Sequence, residues 1–218
     1  MTPADAVLRV RAIYDENGVT SGFLDNTNDI YKFIDSGHNE LITIGILRLR
    51  LSRKLKDNQE PAFLTPLIKI DPLNTTTIGA TLQEYALPAD YIETYRATYD
   101  YSGGATALKN CDLMTFDEAY LKQSISLLQA DLNNPVYYIR LGKIGFYPQP
   151  IGAHANSYEH YYIYKPAEIV SGTSAFILGT ECHEAIVKYT AYLSFMKDGE
   201  MNLANGFLNQ FLELAKSL

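Results

Sequence analysis

Cys182-His183-Glu184 is the cluster in this 218-residue chain whose residue types most suggest bond-making chemistry. A zinc-protease helix needs a second histidine one turn after the first, and that position holds Val187. A cysteine nucleophile with a histidine base fares no better, because adjacent helical residues point about 100° apart. The geometry favours a buried cysteine followed by two surface polar residues. His154 and His160 flank a loop next to Tyr158 and Glu159 and could ligate a metal, but two histidines without a carboxylate or cysteine set at ligand spacing are a weak signal. Tyr101-Ser102-Gly103-Gly104-Ala105 has too few glycines, and no following Lys-Thr, to cradle phosphates. No catalytic, cofactor or metal residue is therefore assigned, and the expectation is a protein that is not an enzyme.

Composition bounds the rest. Hydrophobic residues make up 47% and charged residues 20%, the balance of a globular chain of one or two domains. A formal net charge of −7 offers no general reason to grip nucleic acid, which demands a basic surface. Cys111 and Cys182 are too few for a disulfide framework or a zinc site and read as reduced and structural. The N-terminal MTPADAVLRVRAIYDENG lacks the apolar core of a secretion signal, and no apolar run nears the ~20 residues of a membrane span. The expectation is a soluble protein made and assembled in a cytoplasm.

The elements that must position these residues follow from periodicity. Thr2-Pro3-Ala4-Asp5 starts a helix with a cap, a proline at the first position and an acid in the first turn. Ala6, Val10, Ile13 and Tyr14 form its stripe, ending near Asn17-Gly18. Thr27 caps a second helix striped by Ile30, Phe33, Ile34 and Leu41, with Gly37 marking either a weak point in one helix or the join of two. Residues 41–55 read as helix along a seam of Ile44, Leu47, Leu51 and Leu55. The cations Arg48, Arg50, Arg53, Lys54 and Lys56 read as a solvated helix end rather than a phosphate patch.

From Asn58, prolines and the Asn74-Thr75-Thr76-Thr77 run exclude a long helix. Phe63 to Ile70 reads as an edge strand broken by Pro66, Thr76 to Tyr85 as another strand and Tyr91 to Tyr99 as a third. Tyr101 to Gly104 is a flexible tip, and Thr115 caps a helix through Leu121 and on towards Leu132. Pro135 to Glu168 holds seven of the chain's 17 tyrosines. Tyr138 to Leu141 and Lys143 to Tyr147 pair as a hairpin around Gly142, and Tyr158 to Tyr164 returns as a strand after a mobile loop at Gly152 to Asn156. Alternating tyrosines suit a half-exposed face with packed rings and wet hydroxyls, either a sugar-binding platform or, as favoured, a plain sheet face or subunit interface.

Thr180 is placed to cap a helix striped by Ala185, Ile186, Tyr189, Leu193 and Met196 and ending at Gly199. Leu203, Phe207, Leu208, Phe211, Leu212 and Leu214 stripe a last helix, which should pack antiparallel to it or keep its apolar face for a partner.

The order of these elements resembles a known family. Asn28-Asp29-Ile30-Tyr31-Lys32-Phe33-Ile34, then a glycine-containing break before Glu40-Leu41, precede a β region opening at Leu87-Pro88-Ala89-Asp90-Tyr91-Ile92. Ile144 to Pro150, Tyr162 to Ala167 and a closing helix through His183-Glu184-Ala185-Ile186-Val187 complete the likeness. The chain resembles the head-to-tail adaptor, or tubular tail protein, of tailed bacteriophages. The resemblance implies an α+β fold: a helical bundle formed by N- and C-terminal helices with an inserted small antiparallel β domain. On that plan residues 1–57 and 180–218 make the bundle, with a helix near 115–132, and residues 58–114 and 133–179 the β-rich insert.

It implies a virion neck protein, assembled in the host cytoplasm as a twelve-membered ring between the portal and a downstream tail or nozzle protein. DNA would be passing cargo only, which suits an acidic lumen. No cofactor, metal or membrane is implied. Phe207, Leu208, Phe211 and Leu212, with Tyr161 and Tyr164, are the expected contact residues. The alternative is a small glycan- or peptide-binding module using the tyrosine-rich sheet.

Overall fold

The computed structural model describes residues 1–16, 27–55, 60–71, 84–100, 108–124, 134–148 and 158–218. The expected features at Asn17-Gly18, Lys56, Asn74 to Thr77, Tyr101 to Gly104, the helix beyond Ser124 and the Gly152 to Asn156 loop with His154 lie outside the described residues. The chain divides into two units, Met1–Leu67 with Pro166–Leu218, and Ile68–Lys165. The first is built from N- and C-terminal helices and the second, between them in sequence, mainly from sheets, as an α+β fold requires.

In the helical unit, α1 (Pro3–Glu16) opens with a reciprocal cap: the Thr2 amide donates to the Asp5 carboxylate at 2.7 Å, and the Asp5 amide donates to Thr2 Oγ1 at 3.2 Å. α2 (Thr27–Leu55) runs unbroken through Gly37. The glycine is a site of close approach rather than a break, since a Cβ there would lie 3.2 Å from the Ile186 carbonyl oxygen and 3.3 Å from Tyr189 Cβ.

The expected seam of α2 is on the wrong face for this core. Ile30, Ile34, Leu41, Ile42, Ile46 and Leu49 are buried, whereas Leu47, Leu51 and Leu55 are exposed by 57%, 55% and 66%. Both faces are apolar, so periodicity alone selects neither. Gly45, on the buried face, admits Phe63 and Leu64 from a 3-10 turn at Ala62–Leu67, which replaces most of the expected edge strand.

α4 (His183–Lys197) is buried on a broad face against α1, α2 and α5 (Met201–Ser217). It does not begin at Thr180 as expected: Thr180–Cys182 form a 3-10 turn, and no side chain caps either segment. Its C-terminus closes on Gly199 at φ 83, where the Glu200 amide donates to Phe195 O and the Gly199 amide to Met196 O. The chain thereby reverses, and α5 packs antiparallel on α4 through the ring pairs Phe195–Phe207 and Tyr189–Phe211.

The second unit is a pair of four-stranded sheets. One has the order β1 (Ile68–Ile70), β8 (Tyr158–Tyr164), β3 (Tyr91–Tyr99), β4 (Lys109–Asn110), with all neighbours antiparallel. The other has the order β2 (Glu84–Ala86), β7 (Lys143–Tyr147), β6 (Val136–Arg140), β5 (Asp112–Leu113), antiparallel except for the short β5–β6 pair. Alternation along β6 and β7 sorts the side chains between two layers. Tyr137, Ile144 and Phe146 meet Tyr99 and Tyr158 of the first sheet, while Val136, Tyr138 and Tyr147 meet Met114 and Phe116 beside α3 (Phe116–Ser124). α3 is capped by Thr115, whose Oγ1 accepts the Glu118 amide at 3.2 Å.

The β6–β7 hairpin turns at Leu141 and Gly142, both at positive φ (49° and 71°), the backbone of a two-residue turn matched to strand twist. On the strand opposite, Gly145 leaves room for the Tyr138 ring to lie across it, where any Cβ would collide.

Candidate partner-binding surface

Five of the seven tyrosines between Pro135 and Glu168, Tyr137, Tyr138, Tyr147, Tyr158 and Tyr162, are buried, which corrects the expectation of wet hydroxyls on a half-exposed face. Two of their hydroxyls donate to carboxylates of the same chain: Tyr138 to Glu84 at 3.2 Å and Tyr162 to Asp90 at 2.9 Å. The second bond, after burial, pushes the Tyr162 phenol up to about 12. Tyr161 and Tyr164 are half-buried, and each already faces a cation. The Arg96 guanidinium lies 4.8 Å from the Tyr161 ring centroid and Lys69 Nζ lies 3.7 Å from that of Tyr164.

On α5 the four expected contact residues separate. Phe211 is buried against Tyr189, and Phe207 is half-buried in a stack that runs Tyr14, Phe195, Phe207 with centroid spacings of 4.1 and 5.3 Å. Leu208 is half-buried and Leu212 exposed, so these two are the ones offered to solvent. The α4–α5 pair also bounds an open groove of about 550 Å³ lined by Glu184, Lys188, Asn209, Gln210, Glu213 and Leu214.

The basic cluster has two described uses. Arg53 and Lys54 sit in the last turn of α2, where the helix dipole favours positive charge, and Arg48 donates from a guanidinium nitrogen to the Ala215 carbonyl near the end of α5 at 2.5 Å.

The Cys182-His183-Glu184 cluster is taken apart by its own helix. Cys182 is buried, and desolvation pushes its thiol up to about 12, the reverse of an activated nucleophile. His183 is buried rather than on the surface, because it packs 4.7 Å from the Phe176 ring, and burial lowers its pKa. Glu184 points outward to Arg9 at 2.6 Å. Behind Phe176 lies His38, also buried, with its ring centroid 6.3 Å away. Desolvation holds its pKa at about 4 despite the opposing influence of Asp35.

Sequence reading missed one arrangement. Asp71 Oδ2 lies 3.2 Å from His160 Nδ1, and His160 Nε2 shares a 3.0 Å hydrogen bond with Thr94 Oγ1, which in turn meets the Tyr91 hydroxyl at 3.1 Å. Carboxylate, imidazole and hydroxyl stand in the order of a hydrolase triad. Asp71, His160 and Thr94 are all fully enclosed, however, so the chain of bonds works as a fastening between β3, β8 and the end of β1. Among the described residues no group of three or more potential ligands is gathered for a metal ion. No helix among them is long and apolar enough to cross a membrane.

No curated protein matches this sequence. A family model described as SU10 adaptor protein matches residues 1–218. The chain belongs to the SU10 adaptor protein family. It is a structural adaptor of a bacteriophage and a virion component that interacts with other head and tail proteins. In the helical unit of this adaptor, the exposed apolar side chains include the Leu47, Leu51 and Leu55 stripe of α2 and Leu212 on α5, beside the half-buried Leu208.

Proposed function

We propose that the chain is the head-to-tail adaptor ring of its virion, joining the portal to the tail in the manner of a tubular tail protein and lining the channel through which DNA passes. Membership of the SU10 adaptor family over residues 1–218 is the observation that carries this reading. The ring has twelve copies, with the portal above and a downstream tail or nozzle protein below. The helical unit meets the portal and neighbouring copies, with Leu208 and Leu212 among the contact residues, and the β-rich unit, with Tyr161 and Tyr164, meets the tail side.

Its net charge of −7 suits a lumen that repels phosphate rather than retaining it. Three long apolar side chains exposed in a row along α2 suit a subunit that is never alone in the virion. Sedimentation and mass photometry of the purified protein test the ring. The expected species is about twelve times the 24.4 kDa chain, and a monomer at every concentration and salt would overturn it.

A further inference from the structure

We propose that the α2 stripe of one copy seats on the outer face of α1 of the next, making a head-to-tail contact; this rests on the ring reading above. Leu47 and Leu51, with Leu55 one turn on, form an apolar row that the chain's own core does not use, since that core takes the opposite face of α2. Lys54 is exposed in the same row and Arg50 beside it. Among the described residues of the same unit, α1 carries an exposed row that ends in carboxylates. On α1, Leu8 is 63% exposed, Ala12 follows it one turn later, and Asp15 and Glu16 close the row, all exposed.

The two rows share a spacing. Leu8, Ala12 and Asp15 recur at intervals of four and three, as do Leu47, Leu51 and Lys54. Seven residues rise about 10.5 Å along either helix. Laid parallel, Leu8 therefore meets Leu47, the small Ala12 admits Leu51, and the carboxylates of Asp15 and Glu16 reach Lys54 and Arg50. Antiparallel docking would set Lys54 against Leu8 and forfeit the ion pairing. The two patches are different surfaces of one molecule, so their contact is heterologous and propagates from copy to copy until it closes, the symmetry a ring needs.

Paired cysteines test the contact. In a chain carrying Cys111→Ser and Cys182→Ser, the combination Ala12→Cys with Leu51→Cys should give, under mild oxidant, a ladder of disulfide-linked oligomers that neither single variant gives. Lys54→Glu should weaken assembly at least tenfold, and adding Asp15→Lys and Glu16→Lys should restore it. Far-UV dichroism confirms that each variant is folded. Wild-type rings with no ladder from the double-cysteine chain would overturn this contact and leave the ring reading standing. Rings that persist while Leu51→Lys abolishes portal binding would assign the stripe to the portal and likewise overturn it. A wild-type protein that never assembles overturns the ring reading, and this contact with it.

Discussion

Asp71 and His160 are joined twice: the Asp71 amide donates to the His160 carbonyl oxygen at 2.8 Å, and the Asp71 carboxylate meets His160 Nδ1 at 3.2 Å. The pair ties the residue just beyond the edge strand β1 to the middle of β8, and through Thr94 to β3. Because both side chains are fully enclosed, removing Asp71 takes this bond from His160 Nδ1 at a place closed to water, while His160 Nε2 keeps Thr94. Asp71→Ala should destabilise the protein by about 2 kcal/mol, the cost of an unsatisfied buried polar group. In a His160→Leu background the same change should cost at least ~1 kcal/mol less, the coupling expected of direct partners. Urea denaturation of the four proteins in the cycle measures this, and additive losses would dissolve the supposed fastening.

The hairpin at Leu141 offers a gain. A leucine at φ 49 holds a left-handed backbone that costs an L-residue about 1 kcal/mol, and its side chain is exposed, so little packing is lost on replacement. Asparagine followed by Gly142 is the preferred pair for this turn. Leu141→Asn should therefore raise stability by about 0.5–1 kcal/mol, read as a higher denaturation midpoint with unchanged slope. A lower midpoint would mean that Leu141 packs on something in solution.

Acid should weaken the helical unit through His38. Its folded pKa is about 4 against an ordinary 6.5, because burial disfavours the imidazolium and nearby His183 adds to the effect. The unfolded chain takes up this proton near pH 6.5 while the folded chain resists until about pH 4. Stability is thus full above pH 6.5 and falls as pH drops through that window, by about 3 kcal/mol in all. His183, shifted the same way, steepens the fall. Denaturation at pH 7.5 and pH 5 should show the loss, and His38→Leu should shrink it; an equal slope in that variant would remove His38 as the cause.

Much of this fold is legible in the sequence where one local rule acts alone. Strands Tyr91–Tyr99 and Tyr158–Tyr164 stand where alternation and a closing proline put them, and Thr2 and Thr115 cap the helices they precede. The failures come where two rules compete or where the partner is distant. α2 is apolar on two faces, so the pattern reveals a helix but not which face the core takes. His183 reads as surface polar until Phe176 packs on it, and Asp71 and His160 find each other across 89 residues that no periodicity links. The tyrosines show the same limit. Alternation places them on strands, but the facing sheet and α3 cover most of their rings, so the apolar row on α2 is more exposed than they are.

The head-to-tail role is tested most directly by negative-stain microscopy of the purified protein mixed with the portal of the same virion. Closed rings stacked coaxially on one end of the portal are the predicted result. Monomers that leave the portal bare, at concentrations where both proteins are folded, would contradict it.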